Sequence, residues 1–420
     1  MTEHIALPRN GPSLRLASFT VENFRSITER VEVVLGDETE KGDPIAVFHG
    51  RNGVGKSTAL LALALGFELL RRGFGRNEDS YKLRNAFGAV DTAARLGRRG
   101  ITARDQPQDT AHPLRIGLEF QEPVLGGLTI EIAMVGVELF MTVRDIHRRP
   151  LADPNAFQAW FSQPYGPTSR PFDALDSRRF ASWVTPSPTG SLVQPDLAEQ
   201  LFNLRISREP RQRESWRYFT EVLQRFAPFQ GKLISIDRIQ KDAAPELTFE
   251  DRGQLILGLD DLSSGEQQIV ALIAGVLLSD AAILAIEEPE LNLDVENQAI
   301  LRDILAETVT RGFKDQIFLE SHVATFDGPG VIRFDRPDGV VRAQRTLGDA
   351  RTSERARKSG ALPQWVSRDG YTLLPPDMVD DLRLASGGPL WFLKGERAWE
   401  AWREDDLAKH LGDDEEPVDG

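Results

Sequence analysis

Residues 50–58 read Gly-Arg-Asn-Gly-Val-Gly-Lys-Ser-Thr, the spacing G-x-x-x-x-G-K-[ST]. The glycines allow successive backbone N–H groups to turn inward onto a phosphate, and the helix that follows points its positive end at the same place. Lys56 supplies a point charge for β and γ phosphates, and the hydroxyl of Ser57 is a ligand for Mg²⁺. Asn52, Gly53, Gly55, Lys56, Ser57 and Thr58 are thus the candidate phosphate-binding residues. By itself this loop specifies a nucleotide and no particular reaction.

Four later segments carry the rest of the chemistry. Leu262-Ser-Ser-Gly-Glu-Gln-Gln268 puts Ser263 and the Gly265 amide at the start of an expected helix, where an anion is favoured. Ala281-Ala-Ile-Leu-Ala-Ile is an apolar strand that runs into Glu287-Glu288-Pro289-Glu290. Leu291-Asn-Leu-Asp294 and Phe318-Leu-Glu-Ser-His322 follow. In this order the segments resemble the signature motif, Walker B strand, D-loop and switch-histidine strand of ABC-type ATPases. The resemblance implies ATP and Mg²⁺ as cofactors, with Glu287 joining Ser57 at the metal. Glu287 stands where most of that family has Asp, a change that Mg²⁺ held through water tolerates. Glu288 is then the general base and His322 the γ-phosphate sensor. Ser263, Ser264, Gly265 and Asp294 would meet the ATP held by the other protomer of a homodimer, or of a higher homo-oligomer.

Two further likenesses narrow the branch. Phe19-Thr-Val-Glu-Asn-Phe-Arg25-Ser-Ile27 resembles the opening strands of SMC and recombination-type ATPases, which implies that Arg25 lies beside the nucleotide. The Glu-Glu-Pro-Glu form of Walker B resembles the OLD (overcoming lysogenisation defect) ATPases of anti-phage systems. These likenesses cover residues 14–60 and 230–335. Gln121 and Gln240 both qualify for the Q-loop glutamine, and Arg238 lies in a segment, Ser235–Gln240, where such proteins have an arginine near the site. About 210 residues without heptads separate the phosphate loop from the signature motif, so long coiled-coil arms are not expected. Pro389–Glu396 resembles the opening strand of the Toprim nuclease domain of OLD proteins. Lys394 replaces its catalytic glutamate and only 26 residues follow, so this chain is not expected to be the nuclease. The resemblance implies a slow ATPase that senses or scaffolds within a bacterial anti-phage or DNA-surveillance complex and controls a separate effector, a nuclease for choice. The alternative is a stand-alone DNA repair or recombination ATPase that clamps DNA.

The elements that must position these residues follow from periodicity. Leu14–Arg25 alternates apolar and polar residues as a half-buried strand, and Val31–Leu35 is a second. Pro44–His49 is an apolar strand into the loop, and 57–72, rich in Ala and Leu, is a helix out of it. Residues 73–112 read as loop with some helix. Leu114–Gln121, Leu128–Val135 and 137–143 read as an antiparallel meander. Strands are expected at 232–236, 254–259, 282–286 and 316–320, with helices at 265–278 and 295–311; the alternation predicts a parallel sheet with crossover helices. The fold class expected is α/β: an ABC-type head with a mixed sheet, an antiparallel meander and a mainly helical insertion. Its divisions are 1–149, 150–230, 231–345 and a tail, 346–420.

Composition sets the remaining bounds. The absence of cysteine excludes disulfides, thiol nucleophiles and cysteine-based metal sites. No apolar run reaches the roughly 18 residues of a membrane span, and the opening lacks a basic-then-apolar signal, so a cytoplasmic protein without a membrane is expected. The net charge of −14 argues against a DNA-coating protein. Yet Arg71–Gly100 holds eight Lys/Arg against three Asp/Glu, and Arg342–Lys358 six against two, while Glu404–Gly420 holds eight acids and one lysine. These are solvated faces and an acidic tail, or else a local basic surface for DNA phosphates. Trp365, Trp391, Trp399 and Trp402 in the tail make either a partner-docking surface or a small local core.

Overall fold

Every residue of β13 (Ile283–Glu287) and β14 (Gln316–Ser321) is buried, which is why both read as near-continuous apolar runs rather than alternating ones. In the computed structural model the described residues are 15–36, 45–72, 74–77, 80–83, 112–121, 127–135, 138–145, 147, 149, 172–176, 197–238, 244–251, 255–279, 281–327, 330–346, 374, 376–384, 390–394, 399–403 and 406–407. With β3 (Ile45–His49), the two buried strands are the middle of a six-stranded sheet. Its order is β16 (Arg342–Arg345), β15 (Ile332–Asp335), β3, β14, β13, β9 (Phe172–Asp176). All neighbours are parallel except the β15–β16 edge pair.

This sheet divides two cores, and successive residues of its strands go alternately to one and the other. Ala46, Phe48, Phe318, Ile283 and Ala285 face the first core; Ile317, Leu319, Leu284 and Ile286 face the second. Phe48 holds the first core together, with its ring centroid 5.9 Å from Phe19, 5.8 Å from Phe318 and 5.0 Å from Phe334. α1 (Lys56–Arg72) lies in that core, buried continuously from Ala59 to Leu65. A helix packed between two sheets has no solvent face, hence its uniform Ala/Leu composition.

The second of those sheets has seven antiparallel strands, ordered β2 (Val31–Val34), β1 (Leu16–Glu22), β6 (Leu114–Phe120), β7 (Leu128–Val135), β8 (Glu138–Asp145), β5 (Ser80–Leu83), β4 (Phe74–Asn77). The expected meander is β6–β7–β8. The other side of the central sheet carries α2 (Leu197–Ile206), α3 (Pro210–Leu223), α4 (Ser264–Leu278) and α5 (Val295–Thr310). A three-stranded antiparallel sheet, β10 (Leu233–Asp237), β11 (Glu246–Asp251) and β12 (Leu255–Gly258), packs with them.

The α/β class and the meander stand, and of the described residues at 150–230 those of α2 and α3 are helical; three local expectations change. Residues 73–112 include the β4–β5 hairpin, four-residue strands too short to show a period. The strands at 233–237 and 255–258 belong to the separate antiparallel sheet, because the unexpected β11 pairs with both. The insertion also supplies β9, which pairs in parallel with β13 from Phe172↔Ile283 to Asp176↔Glu287. Its five residues form a strand because a neighbouring edge accepts them.

The chain divides into two compact units, Met1–Leu347 and Gly348–Gly420. In the second, α6 (Pro376–Asp381) precedes a hairpin of β17 (Leu390–Lys394) and β18 (Trp399–Arg403), in which Trp391 stands opposite Trp402. Trp391 and Phe392 are 48% and 63% exposed. Trp365, Gln240, the side chains of Arg71–Gly100 and most of the acidic stretch lie outside the described residues. Among the described residues no helix is long and apolar enough to cross a membrane.

Candidate functional site

The strand register builds the site. Glu287 lies beside Glu320, Glu320 beside Phe48 and Ser321 beside His49, so β13, β14 and β3 end level with one another. The phosphate loop leaves β3 at that edge, the C-terminal edge of a parallel sheet, where open α/β folds place their ligands. Under the loop, Nε2 of the buried His49 lies 3.2 Å from the Val323 carbonyl oxygen, and Asp327 accepts two bonds from Arg333 at 3.0 and 2.8 Å. Burial holds the His49 imidazole below its ordinary pKa, against the opposing pull of Asp327.

Within the loop, Gly55 has φ 106°, and a Cβ there would come within 2.9 Å of Val341 Cγ1. A side chain is excluded both by conformation and by contact. Gly53, at φ 82°, has nothing within 4 Å of the corresponding position, so the loop's rim opens beside it. Asn52 is exposed on the same rim. Lys56 is 3% exposed and folds back, donating from Nζ to the carbonyl oxygens of Gly50 at 2.7 Å and Arg51 at 3.0 Å. Burial pulls its pKa below the usual lysine value, while Glu320, Glu288 and Glu290 act in the opposite direction. Ser57 donates its hydroxyl hydrogen to Glu320 Oε1 at 2.6 Å. The Thr58 hydroxyl lies 3.1 Å from Ser26 Oγ, which ties the loop's helix to the Asn23–Ile27 turn. Asn23 and Arg25 both have φ 53° in that turn, closed by paired hydrogen bonds between Phe24 and Ile27. The Arg25 guanidinium stacks 5.5 Å above the Phe24 ring.

The acidic edge is tightly organised. Glu287 is buried, and Glu288 follows at φ 49° with its N–H donating to the Glu320 carbonyl oxygen at 2.8 Å. Glu290 Oε1 accepts from Ser321 Oγ at 2.9 Å and from the His322 backbone N–H at 3.1 Å, and lies 3.3 Å from His322 Nδ1. Burial pushes the Glu290 carboxyl above its usual range, against the hydrogen bonds it receives. His322 itself is 44% exposed at the side chain, held at its base and open at its tip.

Ser263 and Asp294 are helix N-caps. Ser263 closes a reciprocal box with Glu266, and Asp294 accepts from the Asn297 backbone N–H at 2.8 Å and from its side-chain amide at 2.7 Å. Ser263, Ser264 and Asp294 are exposed. Gly265 links them, because a Cβ there would lie 2.9 Å from the Asn292 carbonyl oxygen. The start of α4 thus packs backbone to backbone on the turn that follows Glu288. Of the two Q-loop candidates, Gln121 closes the β1–β6 edge through its N–H to Arg15, and Gln240 is outside the described residues. Arg238 pairs with Glu199 at 2.7 Å.

The residues suit the expected cofactors. A rim open beside Gly53, an amine and a hydroxyl at the first turn of a helix, and carboxylates level with them are the donor set for a nucleotide's phosphates with Mg²⁺. Among the described residues no group of three His, Cys, Asp or Glu forms a metal cage. Two residues of this edge, Glu290 and Glu320, had no assigned role in the sequence reading. Their signal is an acid inside or just after a buried apolar strand.

Residues 185–324 match a family described as "AAA domain, putative AbiEii toxin, Type IV TA system". No curated protein matches the chain. Among solved structures it is similar to an Smc head bound to the C-winged helix domain of ScpA. That likeness has a TM-score of 0.53 and 14% identity, covering 81% of this chain and 99% of the other. A second is the Smc head with an extended coiled coil, bound to the C-terminal domain of ScpA derived from Pyrococcus furiosus. Its TM-score is 0.50 at 11% identity, covering 82% and 99%. The likeness is one of fold, to that of Smc head domains.

Proposed function

We propose that the chain is an ATPase that binds ATP with Mg²⁺ between two copies of itself. In this reading it is the sensor and scaffold subunit of an anti-phage or DNA-surveillance complex, and it controls a separate effector such as a nuclease. The observation that carries the ATPase reading is the level alignment of the phosphate loop with the acidic ends of β13 and β14, with Ser57 bonded directly to Glu320. The defence reading is supported by the Glu-Glu-Pro-Glu sequence and by the matching family's description, which names a putative toxin of a toxin–antitoxin system.

The chemistry is divided among this chain's residues. Mg²⁺ supplies neutralisation of the β and γ phosphate charge. Lys56 exchanges its bonds to the Gly50 and Arg51 carbonyls for phosphate oxygens, so the loop is preformed before the ligand arrives. Ser57 and Glu287 hold the metal, while Asn52, Gly53, Gly55 and Thr58 line the phosphates and Arg25 stands beside the nucleotide. Glu288 accepts the proton of the attacking water, from a left-handed turn that its N–H fastens to Glu320. His322, braced by Glu290, contacts the γ-phosphate. The exposed Ser263, Ser264 and Asp294, with the Gly265 amide, complete the partner copy's site.

The test compares native mass and ATP turnover of Glu288→Gln and wild type, with and without duplex DNA. The variant is expected to accumulate as an ATP-bound dimer or larger ring, and the wild type to turn over slowly whether or not DNA is present. Turnover by Glu288→Gln equal to wild type would remove Glu288 as the base. Several-fold stimulation by DNA would favour a DNA-clamping repair ATPase, the reading to which the basic stretch Arg71–Gly100 points.

A further inference from the structure

The least expected side chain at this edge is Glu320. It is 4% exposed and follows Ile317, Phe318 and Leu319 in a strand with parallel neighbours on both sides. A carboxylate is expensive in such a place unless charge and hydrogen bonds compensate it. Here both arrive from the phosphate loop: Ser57 donates to Oε1 at 2.6 Å, and Lys56 Nζ lies 4.0 Å from the same oxygen. The main chain of Glu320 serves the other half of the site, since its carbonyl oxygen accepts the Glu288 N–H at 2.8 Å.

A hydroxyl has one hydrogen to give and two lone pairs to offer. While the Ser57 hydrogen is committed to Glu320, both lone pairs of Ser57 Oγ are turned elsewhere and a cation can take one of them. Glu287 lies level with Glu320 on the adjoining strand. We infer that Glu320 is the positioning residue of the metal site: it orients the Ser57 hydroxyl for Mg²⁺ and leaves Glu287 to the ion. The inference rests on the ATP and Mg²⁺ reading above and deepens it. Two acids on adjacent strands divide what one Walker B acid would otherwise do, accepting from the loop hydroxyl and facing the metal.

The role predicts a selective defect. Glu320 also lies beside Lys56, so loss of its charge changes nucleotide affinity with and without Mg²⁺ alike, and the role through Ser57 is the part of the defect that needs Mg²⁺. The measurement is the affinity of full-length protein for a fluorescent ATP analogue, titrated with Mg²⁺ and repeated in EDTA. Glu320→Leu is expected to raise the Mg²⁺ concentration for half-maximal enhancement by about 10-fold or more, the usual penalty for removing a partner of a metal ligand. The ratio of affinity at saturating Mg²⁺ to affinity in EDTA should fall in Ser57→Ala as it does in Glu320→Leu. The double variant should be no worse than either single one, because both break the same link. Glu320→Gln conserves volume and an acceptor oxygen, and should recover part of the Mg²⁺ response. It also keeps the test decisive should Glu320→Leu fold poorly. An unchanged Mg²⁺ requirement in Glu320→Gln and Glu320→Leu, or full additivity with Ser57→Ala, overturns this assignment and leaves the ATP site standing. Failure of the wild type to bind the analogue, with Lys56→Ala indistinguishable from it, overturns the ATP reading itself and this assignment with it.

Discussion

The side chains at the candidate site are held by bonds that stay within the chain, and those bonds decide what each can do. Glu290 illustrates this. Its carboxyl is buried and raised in pKa, yet it braces Ser321 and His322. The folded-state pKa lies above the unfolded value, so the folded protein holds this proton more tightly. The associated stability is complete below the unfolded pKa of about 4.3 and is lost as pH rises through the folded value. Removing the ionisation should therefore help most at higher pH. Glu290→Gln, which keeps an acceptor for Ser321, is expected to gain melting temperature relative to wild type between pH 5 and pH 8. A difference that is flat or reversed over that range, by differential scanning fluorimetry in matched salt, would exclude a buried ionised acid. The same variant should turn over ATP more slowly, since the brace on His322 is weakened.

The helix end at Asp294 has one observed use and one proposed use. Asp294 caps α5 through Asn297, and the proposed function also places it against the partner's nucleotide. Asn is as good an N-cap as Asp but carries no charge, so substitutions separate the roles. Asp294→Ala is expected to lose about 1 kcal/mol of stability, and Asp294→Asn almost none, in urea denaturation. Both should impair the ATP-dependent dimer of the Glu288→Gln background. If Asp294→Asn dimerises like its parent, the cap is the residue's whole role. At the same scale, packing rather than propensity explains the elements missed in the sequence. β9 and the β4–β5 hairpin are strands because β13 and β8 offer them edges. Nothing in four or five consecutive residues announces a partner that lies more than fifty positions away.

For the whole molecule, the described residues of both cores run from Leu16 to Ala343, within the first compact unit. The phosphate loop and the acidic ends of β13 and β14 belong to that unit. A chain ending at Leu347 is therefore expected to melt cooperatively, within about 5 °C of the full chain, and to bind the ATP analogue with unchanged affinity. Loss of folding or binding would show that the second unit, with its exposed Trp391 and Phe392, is part of the head. Effector control, by contrast, is the function expected to go with it.

What could be read from the residues alone was whatever is local. The phosphate loop is legible because nine consecutive residues contain its glycines, its cation and its hydroxyl, and the conformation they need is set by backbone sterics. The buried parallel strands are legible for a similar reason: burial on both faces forces an apolar run whatever the neighbours are. The partnerships between segments were decided by the tertiary structure. Glu320 accepts from Ser57, 263 positions away, because β14 lies between β3 and β13 in a register that brings their ends level. Gly265 meets Asn292, and Glu290 meets His322, through the same packing. Sequence spacing can place an acid at the end of a strand. Which hydroxyl it receives depends on strand order and register, and these follow from how the two cores are filled on either side of the sheet.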